Sequence, residues 1–95
     1  MRLKDKVAVV TGAGSGLGRA ISVKLAAEGC RVAIADISLK NAEETVQVIK
    51  NAGGDAAAFV ADITNEEQVQ KLFAEVAGTW GKIDLLYNNA GISPV

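Results

Sequence analysis

No histidine occurs anywhere in this chain, and cysteine occurs once, at position 30. The first absence excludes Ser-His-Asp chemistry and takes away the commonest ligand of a catalytic zinc site. The second excludes an intrachain disulfide and suits a reducing compartment, so a cytoplasmic location is expected. Cys30 also has no histidine to activate it as a nucleophile. Apolar runs are short: none approaches the ~18 residues that a membrane span requires. Charge of either sign is scarce in excess. Ten Lys and Arg against eleven Asp and Glu leave a net charge of −1, which favours neither nucleic acid nor an anionic membrane as a partner. The charged start, Met1 to Lys6, runs directly into an apolar segment and does not read as a signal peptide. With 95 residues, one domain is the upper bound.

What is present is alternation. Lys6 to Thr11 is a Val-rich run that reads as a buried strand, and Gly16 to Glu28 reads as a helix with Ile21 and Leu25 on one face. Arg31 to Ala35, ending at Asp36, predicts a second strand. Ser38 is the expected N-cap of a helix to about Lys50, in which Leu39, Ala42, Val46 and Ile49 recur at helical spacing. Ala56 to Ala61, ending at Asp62, predicts a third strand. Thr64 and Glu67 have the spacing of a capping box, and Val69, Leu72, Phe73 and Val76 share a face of the helix behind them. Ile83 to Asn88 predicts a fourth strand. Trp80, Phe73 and Tyr87 read as packing residues. The order β-α-β-α-β-α-β with short connections predicts an α/β, Rossmann-type doubly wound parallel sheet with strand order 3-2-1-4 and right-handed crossovers.

The segment Thr11-Gly12-Ala13-Gly14-Ser15-Gly16-Leu17-Gly18 joins the first strand to the first helix. Unpaired N–H groups at a helix start, together with the positive end of its dipole, form an anion site. Glycines let a pyrophosphate approach the backbone. The spacing is neither G-x-G-x-x-G nor a P-loop. Asp36, at the end of the second strand, can accept from adenosine ribose hydroxyls and would repel a 2′-phosphate. At the end of the first strand stands Gly12, where a receiver-like domain would need an acidic cluster.

Thr-Gly-x-x-x-Gly-x-Gly from Thr11 to Gly18, followed by Asn88-Asn89-Ala90-Gly91 after the fourth strand, closely resembles the short-chain dehydrogenase/reductase family, and the resemblance runs the length of the chain. It implies a nicotinamide dinucleotide as ligand. Gly12, Ser15, Gly16, Leu17 and Gly18 would cradle the pyrophosphate. In similar proteins a basic residue in the glycine turn or after the second strand goes with NADP; Ser15 and Ile37 stand there, so NAD is expected and NADP disfavoured. The resemblance further implies that Asp62 and the Ile63 N–H read adenine. It places Asn89, Ala90 and Gly91 near the nicotinamide ribose. Tyr87 departs from the family pattern, which has an aliphatic residue at that position.

The same resemblance implies hydride transfer between NAD(H) and an alcohol or carbonyl. Its Ser and Tyr-x-x-x-Lys lie beyond the matched segment, so residues 1–95 are expected to be the dinucleotide-binding half of an oxidoreductase, inactive alone. The expected partners are a C-terminal half or a second copy of the chain. The alternative is a non-catalytic dinucleotide-binding or assembly module that acts through a partner chain.

Overall fold

In a computed structural model, which describes residues 3–14 and 16–88, the elements follow the predicted order. They are β1 (Val7–Thr11), α1 (Gly16–Ala27), β2 (Arg31–Asp36), α2 (Leu39–Asn51), β3 (Asp55–Val60), α3 (Glu66–Trp80) and β4 (Leu85–Asn88). Every residue of β1 is buried. A strand that reads Val-Ala-Val-Val without polar alternation needs cover on both faces, which a parallel sheet between helices supplies. The four strands are parallel in the order β3-β2-β1-β4. In register, Val9 stands between Ala33 of β2 and Leu86 of β4.

Successive residues of β1 and β2 face opposite cores. Ala8, Val10, Val32 and Ile34 pack with Ala26 of α1 and with Ala42 and Ile49 of α2. Val7, Val9, Ala33 and Ala35 pack with Leu72 and Val76 of α3, and Phe59, Phe73 and Trp80 pack against that cluster. Two helices therefore cover one face and the third covers the other, as right-handed crossovers on either side of β1 require.

Four local expectations are corrected. The buried stripe of α1 is Gly18, Ser22 and Ala26, while Ile21 and Leu25 are only partly covered. Small residues let the helix approach the sheet closely, and the buried Ser22 hydroxyl donates to the Gly18 carbonyl at 2.7 Å. The cap of α3 lies one residue later than the Thr64–Glu67 box. Asn65 accepts from the Gln68 N–H at 3.1 Å, because Thr64 is drawn into a turn by Asp62. The fourth strand begins at Leu85 rather than Ile83. Just before it, Asp84 donates its N–H to the Val7 carbonyl and accepts the Val7 N–H on its carboxylate, both at 2.8 Å. Tyr87 is not a core residue: it is 41% exposed, because β4 has a neighbouring strand on one side alone among the described residues.

Candidate functional site

Strand order decides where the site-bearing residues meet. The chain runs outward from β1 to β2 and β3, then returns to β1's other side as β4. Helix α1, which leaves β1, and helix α3, which leads into β4, lie on different faces of the sheet, and a crevice is expected between the carboxyl ends of these two strands. Thr11, Asp36 and Asn88 end their strands on this side, and Asp62 follows the end of β3. The Thr11 hydroxyl donates to Asn88 Oδ1 at 2.9 Å and so ties the two strands across the point of divergence.

The glycines between β1 and α1 have distinct tasks. Gly12 and Gly16 hold φ of 62° and 56°, the left-handed region that an L side chain rarely adopts. A Cβ on Gly18 would collide with the Gly12 carbonyl oxygen and stand 2.9 Å from the Ala13 Cα, so the helix could not lie so close to the strand it follows. A Cβ on Gly14 would stand 2.7 Å from an Asp36 carboxylate oxygen. At Gly16, by contrast, a Cβ would meet nothing within 4 Å beyond its chain neighbours and its own helix. The start of α1 thus faces open space, its first turn contains no acidic residue, and Leu17 beside it is 62% exposed.

Asp36 closes the turn from β2. One carboxylate oxygen accepts the Gly14 N–H at 2.9 Å and the other accepts the Ser38 N–H at 2.9 Å. A carboxylate offers about four lone-pair positions, so two remain for further donors. Ile37, next in the chain, is 70% exposed. Asp62 accepts both the Thr64 hydroxyl and the Thr64 N–H, at 2.6 and 2.9 Å. Those two bonds, the hydroxyl's first, hold its carboxyl below the usual carboxylate range. Ile63 is half-buried beside it. Gly12, Gly16, Leu17, Gly18, Asp36, Ile37, Asp62 and Ile63 therefore share the carboxyl end of the sheet. Ser15, Asn89, Ala90 and Gly91 lie outside the described residues.

Two residues not anticipated from the sequence brace the sheet, Arg19 at this end and Asp84 at the amino-terminal end of β1. Arg19 spans the glycine turn and α2. A cation in the first turn of a helix opposes the dipole, and that mismatch was the signal available. Asp84 clamps the start of β1; the Val7 N–H, then Lys82, hold its carboxyl below the usual range. An acid at the head of an apolar strand was its only mark. At the opposite, amino-terminal end of the sheet, a cavity of about 490 Å³ opens between the ends of α1 and α2 over Ala26, Cys30 and Ile49. No predicted site residue lines it, and burial raises the Cys30 thiol above its ordinary pKa. Among the described residues no cluster of potential metal ligands occurs, and no helix is long and apolar enough to cross a membrane.

The sequence and the fold have counterparts among known proteins. The sequence profile of the family described as short chain dehydrogenase matches residues 6–95. An uncharacterized oxidoreductase of Thermotoga maritima is 45% identical over 95 residues, covering 99% of this chain and 37% of its own length. A short-chain dehydrogenase/reductase homolog of Bacillus subtilis is 43% identical, covering 98% of this chain and 86% of its own. The crystal structure of a hydroxysteroid dehydrogenase from Escherichia coli superposes with a TM-score of 0.92 at 39% identity, over 95% of this chain and 38% of that one. The chain thus spans about a third of the length of several curated relatives, at 37%, 33% and 32%. On the family profile and these relatives together, the chain belongs to the short-chain dehydrogenase/reductase family.

Proposed function

We propose that residues 1–95 form the NAD(H)-binding half-domain of an oxidoreductase that moves a hydride between the nicotinamide and an alcohol or carbonyl. The observation that carries this reading is the open first turn of α1 facing Asp36 at the divergence of β1 and β4. The fit is physical. Nothing outside its own helix and chain neighbours crowds the Cβ direction of Gly16, a helix start supplies donors, and no carboxylate in the first turn opposes an anion. The pyrophosphate would lie on Gly12, Ser15, Gly16, Leu17 and Gly18. The adenosine ribose would lie on the remaining lone pairs of Asp36, and adenine between Asp62 and the Ile63 N–H. Asn89, Ala90 and Gly91 would border the nicotinamide ribose. When bound, the nicotinamide supplies the hydride donor or acceptor; the protein binds and orients it.

NAD(H) is favoured over NADP(H) because Asp36 would face a 2′-phosphate with like charge, and Ile37 offers it no counter-charge. Calorimetric titration is expected to show NAD(H) binding at least about tenfold more tightly, a difference of about 1.4 kcal/mol. Ile37→Arg should narrow the gap. Tighter binding of NADP(H) to the unmodified protein would overturn the assignment. Asp36→Ala is the poorer probe, since it also frees the Gly14 and Ser38 N–H groups.

The outer side of β4 completes the reading. Leu86 is 55% exposed in a strand whose described neighbour is β1 alone. An apolar strand edge of this kind templates pairing. We place there either the C-terminal half of the fold or a second copy of the chain. The Bacillus relative that this chain covers to 86% favours a second reading as well: a dinucleotide-binding module that works through a partner chain. Light scattering on residues 1–95 separates these. Association relieved by adding the C-terminal half supports the half-domain, and a stable monomer at high micromolar concentration supports the module.

A further inference from the structure

Arg19 is placed against its electrostatic interest, in the first turn of α1 where the helix dipole is positive. Its side chain, directed back toward the helix start as helical side chains are, spends its donors on three partners. Nη2 donates to the Gly14 carbonyl at 2.6 Å and approaches Glu44 Oε1 at 3.4 Å, while Nε donates to the Thr45 hydroxyl at 2.8 Å. Thr45 is fully buried in α2. Gly14 is therefore gripped at both ends, its N–H by Asp36 of β2 and its carbonyl by Arg19.

We propose that Arg19 is a positioning residue for phosphate binding: it holds the Gly14 carbonyl toward α2 and so fixes the glycine turn in its anion-accepting shape. The inference rests on the dinucleotide-binding reading above. An oxygen that swung toward the bound phosphate would repel it, and a glycine has little intrinsic resistance to such a swing. The guanidinium suits the task because its planar fork reaches two acceptors at fixed angles, which an ammonium does not. Thr45 and Glu44 hold the fork, so phosphate affinity depends on how α2 packs beside α1.

The test compares two probes, ADP and adenosine, binding to the purified protein and to R19M, R19K, T45V and E44Q. A residue that positions the phosphate turn changes ADP affinity and leaves adenosine affinity alone. A residue that merely stabilises the fold changes both or neither. Calorimetry with ADP, and amide shifts at Ile37 with adenosine, are expected to show R19M weakening ADP by about tenfold with adenosine within twofold. R19K keeps the charge and loses the fork, so its ADP loss should be intermediate. T45V, nearly the same shape as threonine, should weaken ADP about threefold, and it decides the matter if R19M does not fold. Equal losses for both probes, or no loss of ADP affinity in T45V and R19M, would overturn the proposal while the dinucleotide reading stands. Failure of the unmodified protein to bind ADP would overturn both.

Discussion

Helix α3 enters from an Asn65 cap with Glu66 and Glu67 in its first turn, and Gln68 folds its side chain back onto the Asp62 N–H at 2.8 Å. Helix α1 enters from a glycine at φ 56°, has no acid in its first turn, and carries an arginine there instead. The two helices lie on opposite faces of one sheet and start at the same end of it. The start of α3 satisfies the Gln68 N–H through its own cap and offsets its own dipole with Glu66 and Glu67. In α1 the dipole is left for something outside the helix, and its neighbours Gly14, Asp36 and Arg19 are spent on holding the turn in shape. The difference separates a helix start that stabilises the fold from one that is available to a ligand.

The largest expected effect comes from closing the distance between α1 and β1. Gly18→Val should destabilise the protein by about 3 kcal/mol, as overpacking against backbone does, and abolish dinucleotide binding. Chemical denaturation checks it, and an unchanged midpoint would mean that the helix does not depend on that close approach. Giving α1 the acid that α3 already has is the sharper probe. Leu17→Glu, at an exposed position, should weaken ADP by about fivefold, the equivalent of about 1 kcal/mol, while stability stays level or rises slightly. Equal ADP affinity in this variant would remove the start of α1 as the anion site. The converse change belongs to α3. Asn65→Ala should cost about 1 kcal/mol of stability through the lost cap and leave ADP affinity unchanged. A drop in affinity would show the two helix starts to be coupled.

The smallest effect is in acid. The Asp62 carboxyl is held below its ordinary range by Thr64, so its bonds contribute stability that is complete above the ordinary carboxylate pKa. That contribution is lost as pH falls through the lowered folded value, below about pH 4. Asp62→Asn should flatten the acid limb of the stability profile and shift the amide signals of Thr64 and Gln68. A parent profile and an Asp62→Asn profile that superpose through this range would show that the Thr64 turn contributes nothing.

Much of the fold is legible in the amino-acid sequence. β1, β2 and α2 fall within a residue or so of their predicted bounds, because Val-rich runs and the 3- and 4-residue steps from Leu39 through Ala42 and Val46 to Ile49 are local signals. Ser38 caps α2 as expected, accepting from the Asn41 N–H at 3.2 Å. The glycine turn, Asp36 and Asp62 were legible as candidates for the same reason: each stands at or just past the end of a strand. Legibility failed where two local patterns competed. Thr64 and Asn65 are both good caps, and the choice between them fell to Asp62, which engaged Thr64 first.

The amino-acid sequence by itself determined the alternation of strands and helices, the positions of the turns and which residues end the strands. Those properties follow from side-chain periodicity, β-branching and backbone freedom within a few neighbouring residues. Only the tertiary structure decided that Asp36 holds Gly14 across 22 residues, that Arg19 meets Thr45 across 26, and that Asp84 and Asn88 bind the two ends of β1 across 77. It also decided that Tyr87, apolar enough for a core, stands half in water at a sheet edge. The physical reason is that such contacts depend on which strands become neighbours. That order is set by the burial of both sheet faces and the handedness of the crossovers, and no short window of sequence contains either.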